Sequence, residues 1–125
     1  MAAPKNHAIQ LDPRFENMLV IERKALKKKY KVALPGKELA LDRLLEQAAR
    51  CKVLLDLECE DISLNGLTEP FSQSPNTPPY DRERPVAHLY IAHEKNYLAI
   101  LKALDGVVPQ EAPKTETDPL EQFFK

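Results

Sequence analysis

The side chains that could do chemistry are few enough to weigh one group at a time. His88 and His93 are five residues apart in a helical stretch, which sets them about 140° apart around a helix axis. They cannot chelate one ion from a shared face, so no metal site is expected. His93 lies between Tyr90 and Tyr97 and reads as part of a half-buried aromatic stripe, hydrogen-bonded at its edges, rather than as a general base. Cys51 and Cys59 stand eight residues apart in another helical stretch, too far along a rigid helix to bridge. Both read as reduced core thiols. The acidic run Asp56, Glu58, Glu60 and Asp61 would spread over more than one helix face, which favours a solvated polar side over a metal-binding carboxylate cluster. There is no Gly-rich phosphate loop, G-x-S-x-G elbow or H-E-x-x-H motif. What remains is a chain with no expected catalytic residue, metal or cofactor, a non-enzymatic protein that works by binding other macromolecules.

Two groups of residues could do that binding. Arg23, Lys24, Lys27, Lys28, Lys29 and Lys31 put six cations into nine residues. Part of this density complements the negative end of a helix dipole, and a solvated basic face is one reading. The other is a phosphate-contacting surface, where each cation that neutralises a phosphate releases counterions and makes affinity fall with salt. The net charge of −1 gives no global attraction to nucleic acid, so this local cluster must carry any such contact. The second group is Asp118, Leu120, Phe123 and Phe124. The last three fall at i, i+3 and i+4 and would share one face of a short helix capped by Asp118. Adjacent phenylalanines in a polar tail call for a receiver: a larger partner in one reading, the chain's own core or a neighbouring subunit in the other.

The elements that must position these residues are helices. Asp12 and Pro13 suit the N-cap and first position of a helix running to Lys31, with Phe15, Met18, Leu19, Leu26 and Tyr30 in a stripe that Glu22 interrupts. After Pro35-Gly36, apolar residues recur at steps of three and four from Leu41 to Ile62, predicting a long helix over 38–64 that closes at Gly66. Such a helix is near 40 Å long, more than a small domain covers by itself, so a partner helix is implied and an oligomer expected. Residues 67–84 contain Pro70, Pro75, Pro78 and Pro79, which predicts an extended loop with no strand alternation. Pro85 opens a third helix over 85–105 that stops at Gly106. The expected fold is therefore all-α, with a flexible lead-in over 1–12, a helical domain over 13–106 and a flexible tail over 107–125 carrying the short docking helix. No run reaches the roughly 18 apolar residues that span a bilayer, and the first residues lack a secretory h-region, so the expected compartment is the cytoplasm, with no membrane partner.

Residues 38 to 109 resemble the small subunit of a tailed-phage terminase. The likeness rests on a long helix opening Leu39-Ala40-Leu41-Asp42-Arg43, on Gly66-Leu67 followed by a polar loop with Asn76-Thr77-Pro78, and on a helix ending Leu104-Asp105-Gly106-Val107-Val108-Pro109. The closing Asp118-Pro119-Leu120-Glu121-Gln122-Phe123-Phe124 is also similar to the acidic-aromatic ends of that family. The chain departs from the pattern in lacking a Gly/Pro-rich basic N-terminal arm, and its basic cluster lies inside a helix. The resemblance implies a DNA-packaging subunit that forms a ring, binds double-stranded viral DNA and delivers it to the large ATPase–nuclease subunit, in the host cytoplasm. The alternative is a helical protein-interaction or assembly subunit without nucleic-acid binding.

Overall fold

The computed structural model describes residues 9–110. Three helices, α1 (Phe15–Lys29), α2 (Glu38–Asn65) and α3 (Pro85–Asp105), carry the fold, and a two-stranded hairpin of β1 (Thr68–Phe71) and β2 (Tyr80–Glu83) joins the last two. The mostly helical architecture agrees with the all-α expectation. No helix among the described residues is long and apolar enough to cross a membrane.

Helix α2 is the axis of the molecule. Its buried positions include sequence neighbours and near neighbours such as Ala48 and Ala49, Cys51 and Val53, and Leu57 and Glu58. Residues one or two apart point to different sides of a helix, so α2 is covered on more than one side. Two helices supply the cover. Arg14 pairs with Glu60 and Arg23 with Glu46, so α1 runs antiparallel to α2. Arg84 pairs with Asp61 and His93 with Glu58, and α3 runs antiparallel too. Leu19 from α1 and Leu104 from α3 are completely excluded from solvent in the shared core. The α2 stripe from Leu41 to Leu57 is thus covered within one chain, which removes the reason for expecting an outside helix there.

The element ends follow local chemistry. The Asp12 carboxylate accepts from the backbone N–H of Arg14 at 2.8 Å, the bond expected of a capping side chain, while the regular helix begins at Phe15, two residues later than expected, and ends at Lys29, two residues short of Lys31. Gly66 closes α2 at φ 79° and ψ −176°, a region open essentially to glycine alone. Its N–H donates to Ile62 O at 2.8 Å.

The segment 67–84 corrects the expectation of a strandless loop. Thr68 pairs with Glu83 and Phe71 with Tyr80 in an antiparallel ladder. Pro70 is tolerated because each strand of a two-stranded sheet keeps one edge free of ladder bonds. The Phe71 and Tyr80 rings meet edge to face at 5.7 Å, the Arg82 guanidinium lies 3.7 Å from the Phe71 ring centroid, and Arg82 pairs with Glu69 at 2.9 Å. Arg84 anchors the base: one guanidinium nitrogen donates to Gly66 O at 2.6 Å and the other to both Asp61 oxygens at 2.9 Å.

Leu19→Ala and Leu104→Ala should each lower stability by about 3 kcal/mol, since each empties a solvent-free position in the core. Gly66→Ala should cost about 2 kcal/mol through backbone strain alone. Urea unfolding followed by helical circular dichroism checks all three.

Candidate nucleic-acid interface and a second cleft

The C-terminal half of α1 holds the basic cluster, and its six cations separate into different environments. Arg23 is committed: its guanidinium grips Glu46 of α2 through two contacts of 2.6 Å, and Glu46 also accepts from Arg50 at 2.9 Å. These cations hold the Glu46 carboxyl below its ordinary value, the Arg23 hydrogen bond contributing most. Arg23 thus ties α1 to α2, whereas no such ion pair engages the lysines that follow it among the described residues. Lys27 overhangs a shallow pocket of about 240 Å³ that it shares with Arg23, Asp42, Leu45 and Glu46. Lys29 lies 5.5 Å from the Tyr30 ring centroid in a cation–π contact.

Lys24 and Lys28 lie one helical turn apart on exposed α1 surface, and Lys31 follows in the connection to α2. Among the described residues no carboxylate lies within 4.0 Å of any of the five lysines. Cations with no carboxylate partner among the described residues in the last turn of α1 complement the helix dipole and keep their charge available to an external anion. Asp118, Leu120, Phe123 and Phe124 lie outside the described residues.

A feature that sequence reasoning missed lies on the other side of α2. A cleft of about 1060 Å³ is lined by Phe15 of α1, by Leu54 and Glu58 of α2, by Pro70 of β1 and by Val86 and His93 of α3, among others. Glu58, read as a solvated member of an acidic run, is 1% exposed. Its carboxylate meets His93 Nδ1 at 2.7 and 3.0 Å, so a carboxylic group survives in the interior because a specific partner faces it. Burial pushes the Glu58 carboxyl above its ordinary value, against the opposing pull of the His93 hydrogen bond and charge. Spacing could not reveal this pair, since its members are 35 residues apart and meet only when α2 and α3 pack. The reading of His93 as a half-buried residue hydrogen-bonded at its edge agrees with its position.

Cys51 is buried, as expected of a core thiol, and its Sγ donates to the His93 backbone oxygen at 3.2 Å. Burial first, then the charges of Glu58 and Glu94, push this thiol up, which leaves it a poor nucleophile. Cys59 departs from expectation: it is free but exposed, one position past the buried face that ends at Glu58. Among the described residues no three His, Cys, Asp or Glu side chains are grouped to hold a metal ion.

A carboxyl held above its ordinary value binds its proton more tightly in the folded chain than in the unfolded one. The stability it contributes is therefore full below the ordinary carboxylate range and falls as pH rises through the raised folded value. His93→Ala removes both influences that oppose the shift, so the variant should lose about 2 kcal/mol, with a larger loss at pH 8 than at pH 5. Glu58→Gln retains an acceptor for the imidazole and should flatten the pH dependence. Urea midpoints of the three proteins at the two pH values check this.

Comparison with protein-family models, with curated proteins and with solved structures found no match to this chain.

Proposed function

We propose that this chain is a non-enzymatic DNA-packaging adaptor of the terminase small-subunit kind. It assembles with copies of itself, contacts double-stranded DNA through the C-terminal half of α1, and presents that DNA to a larger ATPase–nuclease partner in the host cytoplasm. The observation that carries this reading is the set of exposed lysines on and just after α1, with no carboxylate within ion-pair distance among the described residues. Five like charges kept together on so short a segment repel one another, and a polyanion relieves that repulsion by replacing its counterions with them. Contact through lysine alone positions a phosphate backbone without reading bases. The resemblance of residues 38–109 to the terminase small subunit supplies the biological setting.

Assembly is supported by α3. One side of this helix packs on α2 through Ile100 and Leu104, while Ile91 and Leu98 are exposed, at 56% and 59%. Ile91, Lys95, Leu98 and Lys102 recur at steps of four, three and four and so share an outer face. An outer face that combines exposed Ile91 and Leu98 with lysines is suited to a neighbour that covers the apolar pair and meets the charges. A second reading, an assembly subunit that does not bind nucleic acid, is favoured by this same face and differs in leaving the lysines idle.

Reversing Lys24, Lys28 and Lys31 to Glu should weaken duplex DNA binding at least about tenfold at low salt. It should also reduce the slope of log affinity against log salt by roughly three. The effect should be equal for unrelated sequences in fluorescence anisotropy. Lys27 is left in place because a carboxylate there would face Asp42 and Glu46. Unchanged binding would move the DNA contact to another surface, and no binding by either protein would favour the second reading. Light scattering should give a native mass several times 14.2 kDa, and Ile91→Asp with Leu98→Asp should reduce it to that of one chain while preserving the helical signal.

A further inference from the structure

The cleft of about 1060 Å³ has no part in the DNA contact or the assembly proposed above. Its floor is α2, where Arg50, Leu54, Glu58, Asp61 and Asn65 recur at steps of four and three and so share one face. Most charged groups of the lining are already engaged: Arg50 holds Glu46, Asp61 holds Arg84 and Glu69 holds Arg82. Glu16 is the exception, since among the described residues no cation lies within 4.0 Å of its carboxylate. Arg14 pairs with Glu60 across the antiparallel α1–α2 contact, so Glu16, two residues on, stands at about the level of Glu58. His93 meets Glu58 from α3 at that same level. A neutral imidazole that donates Nδ1–H to a carboxylate keeps the Nε2 lone pair as an acceptor, and His93 Nε2 has no hydrogen-bond partner among the described residues. One level of the cleft thus offers two carboxylates, Glu16 and Glu58, and an acceptor that the second one backs.

We propose that this cleft binds a small organic cation, a protonated amine on an apolar body, with the ammonium between Glu16 and His93 Nε2 and the body against Phe15, Leu54, Val86 and Leu89. The volume stands at the upper edge of the roughly 300–1,000 Å³ that small-molecule sites enclose. An ammonium can donate to Nε2 while its charge faces both carboxylates, whereas an anionic head would be repelled by the same pair. A small amine is the favoured occupant over a peptide, because a peptide brings backbone polar groups at every residue into a lining whose other charged side chains are spent on one another. The site lies apart from the lysine surface and stands whether or not that surface meets DNA.

The test uses phenethylamine, phenethyl alcohol and phenylacetate, probes of similar aromatic body that differ in the charge of the head. Binding to the full chain is followed by nuclear magnetic resonance of the Leu54, Val86 and Leu89 methyls and the His93 ring, at about pH 8, above the range in which imidazole ordinarily takes up a proton. Phenethylamine should bind with a Kd of roughly 10 mM, as a ligand this small allows. It should bind at least about threefold tighter than the alcohol, and phenylacetate should bind weakest. Glu16→Gln, at an exposed position, should remove most of the preference for the amine and leave the alcohol unchanged. Leu89→Trp, also at an exposed position, should fill the cleft and block all three probes while keeping the helical signal. Absence of shifts at about 50 mM phenethylamine, several times the expected Kd, would overturn the site, as would shifts centred on Ile91 and Leu98 of the outer α3 face. Equal affinity for the three heads would overturn the cation assignment. Tighter binding of acetyl-lysine amide than of pentylamine would overturn the small-molecule occupant in favour of a partner protein's lysine.

Discussion

The structure depends on the burial of α2 on more than one side. A helix with Ala48 and Ala49, or Leu57 and Glu58, out of solvent together has a buried arc too wide for one neighbouring helix to cover. The antiparallel packing of α1 and α3 follows from that need, and the connections adapt to it. The α1–α2 turn is short because the two helices are antiparallel neighbours. The α2–α3 connection starts at Gly66, where only glycine accepts the backbone conformation, and returns through a hairpin whose base Arg84 ties to the end of α2.

Polar groups are placed according to what this packing leaves for them. Where α1 meets α2, Arg23 and Glu46 sit at the rim and hold the two helices in register with charges still in reach of water. Where α3 meets α2, Glu58 and His93 are drawn further in, and the carboxyl depends on its partner. The two ion pairs illustrate different energetics. A rim pair gains little over solvated charges, whereas an interior pair is costly to break because the survivor stays buried. The buried carboxylate in the lining of the cleft is therefore already engaged by a partner.

The surface that remains is divided between charge and apolar area. The lysines after Arg23 keep their charge uncompensated on the described surface of the folded chain, and α3 keeps Ile91 and Leu98 in water. Neither feature helps a lone chain fold. Both are the ground of the packaging proposal.

The three helices were legible in the sequence because helix formation is decided by residues within one or two turns. Steps of three and four, Pro85 at a first position and glycine past the second and third helices bound them to within two residues of Phe15–Lys29, Glu38–Asn65 and Pro85–Asp105. The density of lysine was equally plain, since charge counting needs no fold. Contacts between distant residues decided the rest. The hairpin escaped notice because Phe71, Tyr80 and Arg82 stabilise it only across the strands, at a register that four prolines disguise. Glu58 looked like its solvated neighbours Asp56 and Glu60, and only the arrival of α3 put His93 against it. Arg23 looked like the lysines that follow, and only the antiparallel seating of α1 gave it Glu46. Local pattern is set by chain neighbours, whereas burial and pairing are set by which helix arrives from elsewhere, and that choice belongs to tertiary structure.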